Sequence, residues 1–184
     1  CAVRWLLANP ERLHIDPERI GVAGGSAVGH LSMMIGYSSD VPELEGDGGN
    51  PDVSSRVQAV VNLYGPTDLT VPVAIKHPTV LAFYGGKTYD EIPQDYKLAS
   101  PLFHVTDDDP PTLIIQGTID DLVPVSQADA LAANLISVGV PYRYDRVVGW
   151  PHSLDFSGEV NDRCLRLMQE FFDEQLRGDS AEKK

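Results

Sequence analysis

The sequence predicts an α/β fold: a mostly parallel sheet with helices on both faces. Three observations predict it. Strand-length segments fall at 20–24, 57–63, 112–116 and 142–148, the one at 57–63 being continuously apolar and β-branched in character. Between and around them lie segments whose apolar residues recur at helical spacing. The resulting order (helix, strand, helix, strand, strand, helix, strand, helix) is the pattern of a parallel sheet covered on two sides.

Taken in order, residues 1–9 place Val3, Trp5 and Leu6 on a short helical pattern closed by Asn9-Pro10. Ile15-Asp16-Pro17 sets a turn before the first strand. A helix then runs from the residue after Ser26 to about Tyr37, with Val28, Leu31 and Ile35 expected to face the core. Residues 39–55 are rich in Gly, Asp, Pro and Ser and read as a surface loop. The strand at 57–63 ends in the turn residues Tyr64-Gly65-Pro66-Thr67-Asp68. Short helical pieces broken by Pro and Gly make 70–105 an insertion over one end of the sheet.

The strand at 112–116 follows a stiff, charged lead-in, Asp107-Asp108-Asp109-Pro110-Pro111, which reads as a solvated loop. The next helix, 126–138, opens with a capping-box pattern, Ser126 with Asp129, and Gly139 stops it. After the strand at 142–148, Val160, Cys164, Leu167 and Phe171 form the stripe of a final helix. Residues 178–184 read as a frayed, flexible polar tail.

The chain has 184 residues, 42% of them hydrophobic, which suits one domain with a real core. Its net charge of −13 disfavours nucleic acid and anionic membrane surfaces, which call for clustered Lys and Arg. No apolar run is long enough to cross a bilayer. The two cysteines, Cys1 and Cys164, fit neither a metal site nor a disulfide framework, and no histidine spacing suits zinc.

Chemistry concentrates where strands end, because reactive groups on a parallel sheet gather beyond the carboxyl ends of its strands. Gly24-Gly25-Ser26-Ala27-Val28-Gly29-His30 has the layout of a nucleophile elbow, a strand turning sharply into a helix with Ser26 at the apex. Without partners, Ser26 would be only a helix N-cap. Partners exist at two other strand ends. Asp120 lies in Gly117-Thr118-Ile119-Asp120-Asp121-Leu122-Val123-Pro124, and His152 lies in Gly149-Trp150-Pro151-His152. Asp121 is the alternative acid, although the spacing from Gly117 and to Val123-Pro124 favours Asp120. The chain order Ser, Asp, His is that of a triad on an α/β-hydrolase sheet. His30, one helical turn past Ser26, reads as structural, and His14, His77 and His104 show no partner pattern.

These three motifs together resemble the α/β-hydrolase superfamily, and more narrowly bacterial serine esterases of the carboxylesterase and carbohydrate-acyl-esterase type. The resemblance runs from Cys1 to the last helix. It implies Ser26 as nucleophile, His152 as base and Asp120 as acid, with no cofactor and no metal. It further implies an oxyanion donor in the backbone N–H of Ala27. Trp150 and the 70–105 insertion are expected to line a pocket for a short acyl group. An amide or formamide hydrolase is the second enzymatic reading, and a weakly active fragment that self-associates is the third.

Two departures from the family pattern stand out. Val28 occupies the place, two residues after the serine, where the family has a small residue, so strain and altered activity are expected. The His-Gly-Gly-type loop that supplies a second oxyanion donor has no match in the 25 residues before Ser26. The expectation is therefore a C-terminal portion of a hydrolase, a partial domain over 1–177 lacking the N-terminal strands. A small-molecule ester would be the substrate, and homo-oligomerisation through the exposed sheet edge or the first helix is expected.

Overall fold

The computed structural model describes residues 2–39 and 41–177, so Cys1 and the tail expected at 178–184 lie outside the described residues. In chain order the elements are α1 (Ala2–Leu7), α2 (Pro10–Leu13), β1 (Gly21–Gly25), α3 (Ala27–Tyr37), α4 (Pro42–Glu45) and β2 (Ala59–Leu63). Next come α5 (Pro72–Ile75), α6 (Pro78–Phe83), α7 (Pro93–Leu98) and a 3-10 turn at Pro101–Phe103. The chain continues through β3 (Thr112–Gly117), α8 (Val125–Val138), β4 (Tyr142–Val147), a second 3-10 turn at Leu154–Phe156, and α9 (Gly158–Arg177).

The strands lie in the order β1-β2-β3-β4, each pair parallel, with Gly25 beside Leu63 and Leu63 beside Ile115. Every residue of β2 and β3 is buried, as their continuous apolar runs require of interior parallel strands. Their side chains alternate. Ala59, Val61, Leu63, Leu113 and Ile115 pack with Val160, Cys164 and Phe171 of α9. Val60 and Ile114 point the other way, into a cluster with Met33 of α3 and Leu131 and Leu135 of α8. One helical layer thus covers each face, the predicted architecture.

The orientation of α3 corrects the sequence reading. Val28 and Leu31 are each 54% exposed and Ile35 is 38% exposed, whereas Gly29, Ser32, Met33, Gly36 and Tyr37 are buried. The reason is close approach. A Cβ at Gly36 would stand 2.3 Å from Val60 Cγ2, and one at Gly29 would stand 2.6 Å from Asn62 Oδ1. Helix and sheet meet along a face of small residues, so the apolar stripe turns outward.

Three smaller corrections have similar causes. On α1 the buried residue is Arg4, not the apolar pattern. Its guanidinium pairs with Glu45 at 3.2 Å and donates to the carbonyls of Glu45 and Gly48, tying down the 39–55 loop, in which α4 forms one turn. At α8 the capping box is absent. Pro124 occupies the N-cap, and the Asp129 carboxylate instead accepts from Tyr144 and Arg146. Gly139 does close that helix, in the left-handed conformation at φ 83°.

Candidate active site

The turn from β1 into α3 is held by crowding on both sides of two glycines. A Cβ at Gly24 would stand 2.5 Å from the Val28 backbone, and one at Gly25 would stand 2.6 Å from the Tyr64 hydroxyl. Ser26 itself adopts φ 54° and ψ −122°, a conformation that costs a non-glycine residue about 1–3 kcal/mol. Its N–H donates to the Leu63 carbonyl at 2.9 Å. Its side chain makes no capping bond, so the N-cap reading does not describe it. The isopropyl group of Val28 is accommodated: it lies half in solvent, above Gly24.

The Ser26 hydroxyl instead meets His152, whose Nε2 lies 2.9 Å from Oγ. On the far side of the ring, Nδ1 lies 2.7 Å from Asp120 Oδ2. A neutral imidazole protonated at Nδ1 satisfies both contacts, donating to the carboxylate and accepting from the serine. The structure therefore brings together Ser26, His152 and Asp120, and leaves Asp121 exposed.

The Asp120 carboxylate is wholly buried and receives four donors. Oδ1 accepts from the backbone N–H groups of Leu122 (3.0 Å) and Val123 (2.8 Å). Oδ2 accepts from His152 and from Gln116 Nε2 at 3.0 Å. Gln116 is the last side chain before the strand's terminal glycine, and its amide also donates to the Val123 carbonyl. Donors fixed on both oxygens leave the carboxylate one orientation toward the imidazole.

The acid loop and the base loop are joined directly. Thr118 and Ile119 N–H groups donate to the carbonyls of Val147 and Trp150, and Gly149 N–H donates to Thr118 Oγ1. The side chain of Trp150 is partly buried and packs against the cluster on the α9 face.

Two further groups at the site carry no signal in the sequence motifs. Tyr64, just past β2, is buried at φ 43°, its ring edge-on to His152 with centroids 4.8 Å apart. Its hydroxyl donates to Asp155, and burial first, then that carboxylate, push its pKa up, so it stays protonated. His77 N-caps α6 and also lines the cavity at the serine. His30 is structural, as expected. Its Nε2 lies 2.7 Å from the Ala99 carbonyl, and burial lowers its pKa against the pull of that bond.

Ser26 and Ala27 open onto a cavity of about 140 Å³, predominantly apolar. Val73, Ala74 and Val80 form one wall and Leu122 and Val123 the other. The first wall comes from residues within 70–105. Among the described residues no group of three or more His, Cys, Asp or Glu side chains is placed to hold a metal ion, and no helix is long and apolar enough to cross a membrane.

The BD-FAE family model matches residues 1–135, well over half of the chain. This chain belongs to the BD-FAE family. The matched span holds Ser26 and Asp120, and the loop of His152 follows it. The BD-FAE chain is 32% identical over 176 residues to the probable carboxylic ester hydrolase LipM of Mycobacterium tuberculosis, covering 93% of this chain and 40% of LipM. Among solved structures, it resembles a truncated carbohydrate esterase from gut microbiota at 30% identity and TM-score 0.79, covering 96% of this chain and 66% of that one. It also resembles the acetyl ester-xyloside bifunctional hydrolase of Caldicellulosiruptor lactoaceticus at 26% identity and TM-score 0.79, covering 94% and 62%. The chain thus spans about two fifths of the length of that curated relative. The fold is that of the α/β-hydrolase esterases.

Proposed function

We propose that this chain carries the catalytic centre of a serine esterase that cleaves carboxylic esters of short acyl groups through an acyl-enzyme. The observation that carries the reading is the hydrogen-bonded series Asp120–His152–Ser26 at the head of an apolar cavity. Ser26 Oγ attacks the ester carbonyl while His152 Nε2 takes its proton. Asp120 holds the ring's tautomer and stabilises the positive charge that forms. The N–H of Ala27 donates to the developing oxyanion. Collapse expels the alcohol, which leaves with the proton from His152. Water, deprotonated by the same imidazole, then releases the acid and restores Ser26.

The short-acyl part of the reading is supported by the volume of the cavity at Ser26, about 140 Å³, which is close to that of an engineered protein cavity of about 150 Å³ that holds one benzene. Names of the relatives support esters as the substrate class, one of them an acetyl ester. Turnover of p-nitrophenyl acetate, butyrate and octanoate tests this. The expected order of kcat/KM places acetate or butyrate above octanoate. A preference for octanoate contradicts the acyl limit, and a preference for an aryl formamide over every ester contradicts the reaction class.

A further inference from the structure

We infer that Tyr64 and Asp155 form a tether that positions His152, so that Tyr64 is a positioning residue of this site. The inference rests on the triad reading above.

His152 lies on a loop between β4 and α9, and the loop is fixed on both sides of it. Before the histidine, the Trp150 carbonyl accepts from Ile119 and sits where a Cβ on Gly117 would be, 2.2 Å away. After it, Ser153 takes the left-handed conformation at φ 58°, and the 3-10 turn at Leu154–Phe156 begins. Leu154 is buried in the α9-side core. Asp155, the next residue, accepts a hydrogen bond from the Tyr64 hydroxyl.

Tyr64 is suited to be the fixed end of this tether. Its N–H donates to the Ile115 carbonyl at 2.8 Å, which anchors its backbone to β3. Its ring meets the imidazole edge-on at an interplanar angle of 69°, and its hydroxyl occupies the space left by the missing side chain of Gly25. One side chain therefore touches the residue before the nucleophile, the ring of the base, and the loop that carries the base. Ser26, Tyr64 and Ser153 are three of the four non-glycine residues with positive φ among the described residues. Backbone strain gathered around one imidazole is kept only where surrounding contacts over-determine it. The Tyr64–Asp155 bond is one such contact at the loop that carries His152.

The test uses the full chain with Tyr64→Phe, Asp155→Ala, Asp155→Asn and the double variant Tyr64→Phe/Asp155→Ala. Two readouts are taken: kcat and KM on p-nitrophenyl acetate, and the NMR signal of the His152 Nδ1 proton shared with Asp120. Phe keeps the ring against His152, and Asn keeps an oxygen that accepts from the tyrosine. Tyr64→Phe and Asp155→Ala are expected to lower kcat on the order of 10- to 100-fold, the loss that follows a misplacement of about 1 Å. KM stays unchanged and the Nδ1 signal broadens. Asp155→Asn restores both readouts to within about threefold, and the double variant is no worse than either single one. A Tyr64→Phe enzyme with wild-type kcat and a sharp Nδ1 signal overturns the tether. So do additive losses in the double variant, or a loss in Asp155→Asn equal to that in Asp155→Ala. If the unaltered chain cleaves no ester, the esterase reading fails, while the NMR comparison still decides the tether.

Discussion

A Cβ on Gly117 would stand 2.2 Å from the carbonyl oxygen of Trp150. The loop that carries His152 therefore rests on the end of the strand that leads to Asp120, and the acid–base distance depends on the absence of one methyl group. Gly117→Ala is expected to lift that loop and lower kcat by about 10²-fold, as a shift of about 1 Å does, with the circular dichroism spectrum unchanged. Native kcat in the Gly117→Ala variant would show that the loop yields without moving the base.

The isopropyl group of Val28 is half exposed, and the Val28 backbone and Cγ1 each stand 2.5 Å from where a Cβ on Gly24 would lie. Val28→Gly is expected to leave ester turnover within about twofold. It should lower stability slightly, because glycine in a helix costs roughly a few tenths of a kcal/mol relative to valine. Gly24→Ala, which meets the Val28 backbone at 2.5 Å, should abolish activity. Urea unfolding beside the turnover assay separates these effects. A large gain in turnover from Val28→Gly would mean that the valine does strain the elbow.

The frame of the site is legible in the sequence because one rule covers most of it. Ser26, Asp120 and His152 all lie just past the carboxyl ends of strands, β1, β3 and β4 respectively. The same rule applied to β2 points to Tyr64, but tyrosine is not a triad residue type, and Tyr64-Gly65-Pro66 reads as turn chemistry alone. The outward turn of Leu31 and Ile35 is not legible either. Apolar spacing gives a helix its stripe, but here the sheet demands close approach and takes the Gly29–Gly36 face instead. Asp129 has the spacing of a cap partner, and Tyr144 and Arg146 on the neighbouring strand claim its carboxylate.

Asp109 provides a pH-dependent prediction away from the site. Burial raises its pKa from 3.8 to about 6, opposed by the hydrogen bonds from Thr106 and reinforced by the charge of Asp108. The folded state binds this proton more tightly than the unfolded chain does, so acid favours the fold across that window. The cost of the buried charge is complete above it. Asp109→Asn keeps an acceptor for the Thr106 N–H and imitates the protonated form. Its Tm is expected to exceed wild type at about pH 7.5, with the difference shrinking toward about pH 4.5. A difference independent of pH would contradict the assignment.

β1 stands at one edge of the described sheet, paired with β2 alone. An unpaired strand edge is a template for pairing with another strand, and for the 184-residue chain by itself we propose a concentration-dependent dimer in light scattering. A monodisperse monomer at every concentration would remove this expectation.

Activation of Ser26 as a nucleophile by His152 is tested most directly with a fluorophosphonate probe, read by intact and peptide mass spectrometry. One adduct per chain is expected, located on Ser26, lost in Ser26→Ala and strongly slowed in His152→Ala. An unlabelled chain, or an adduct that persists in Ser26→Ala, would contradict it.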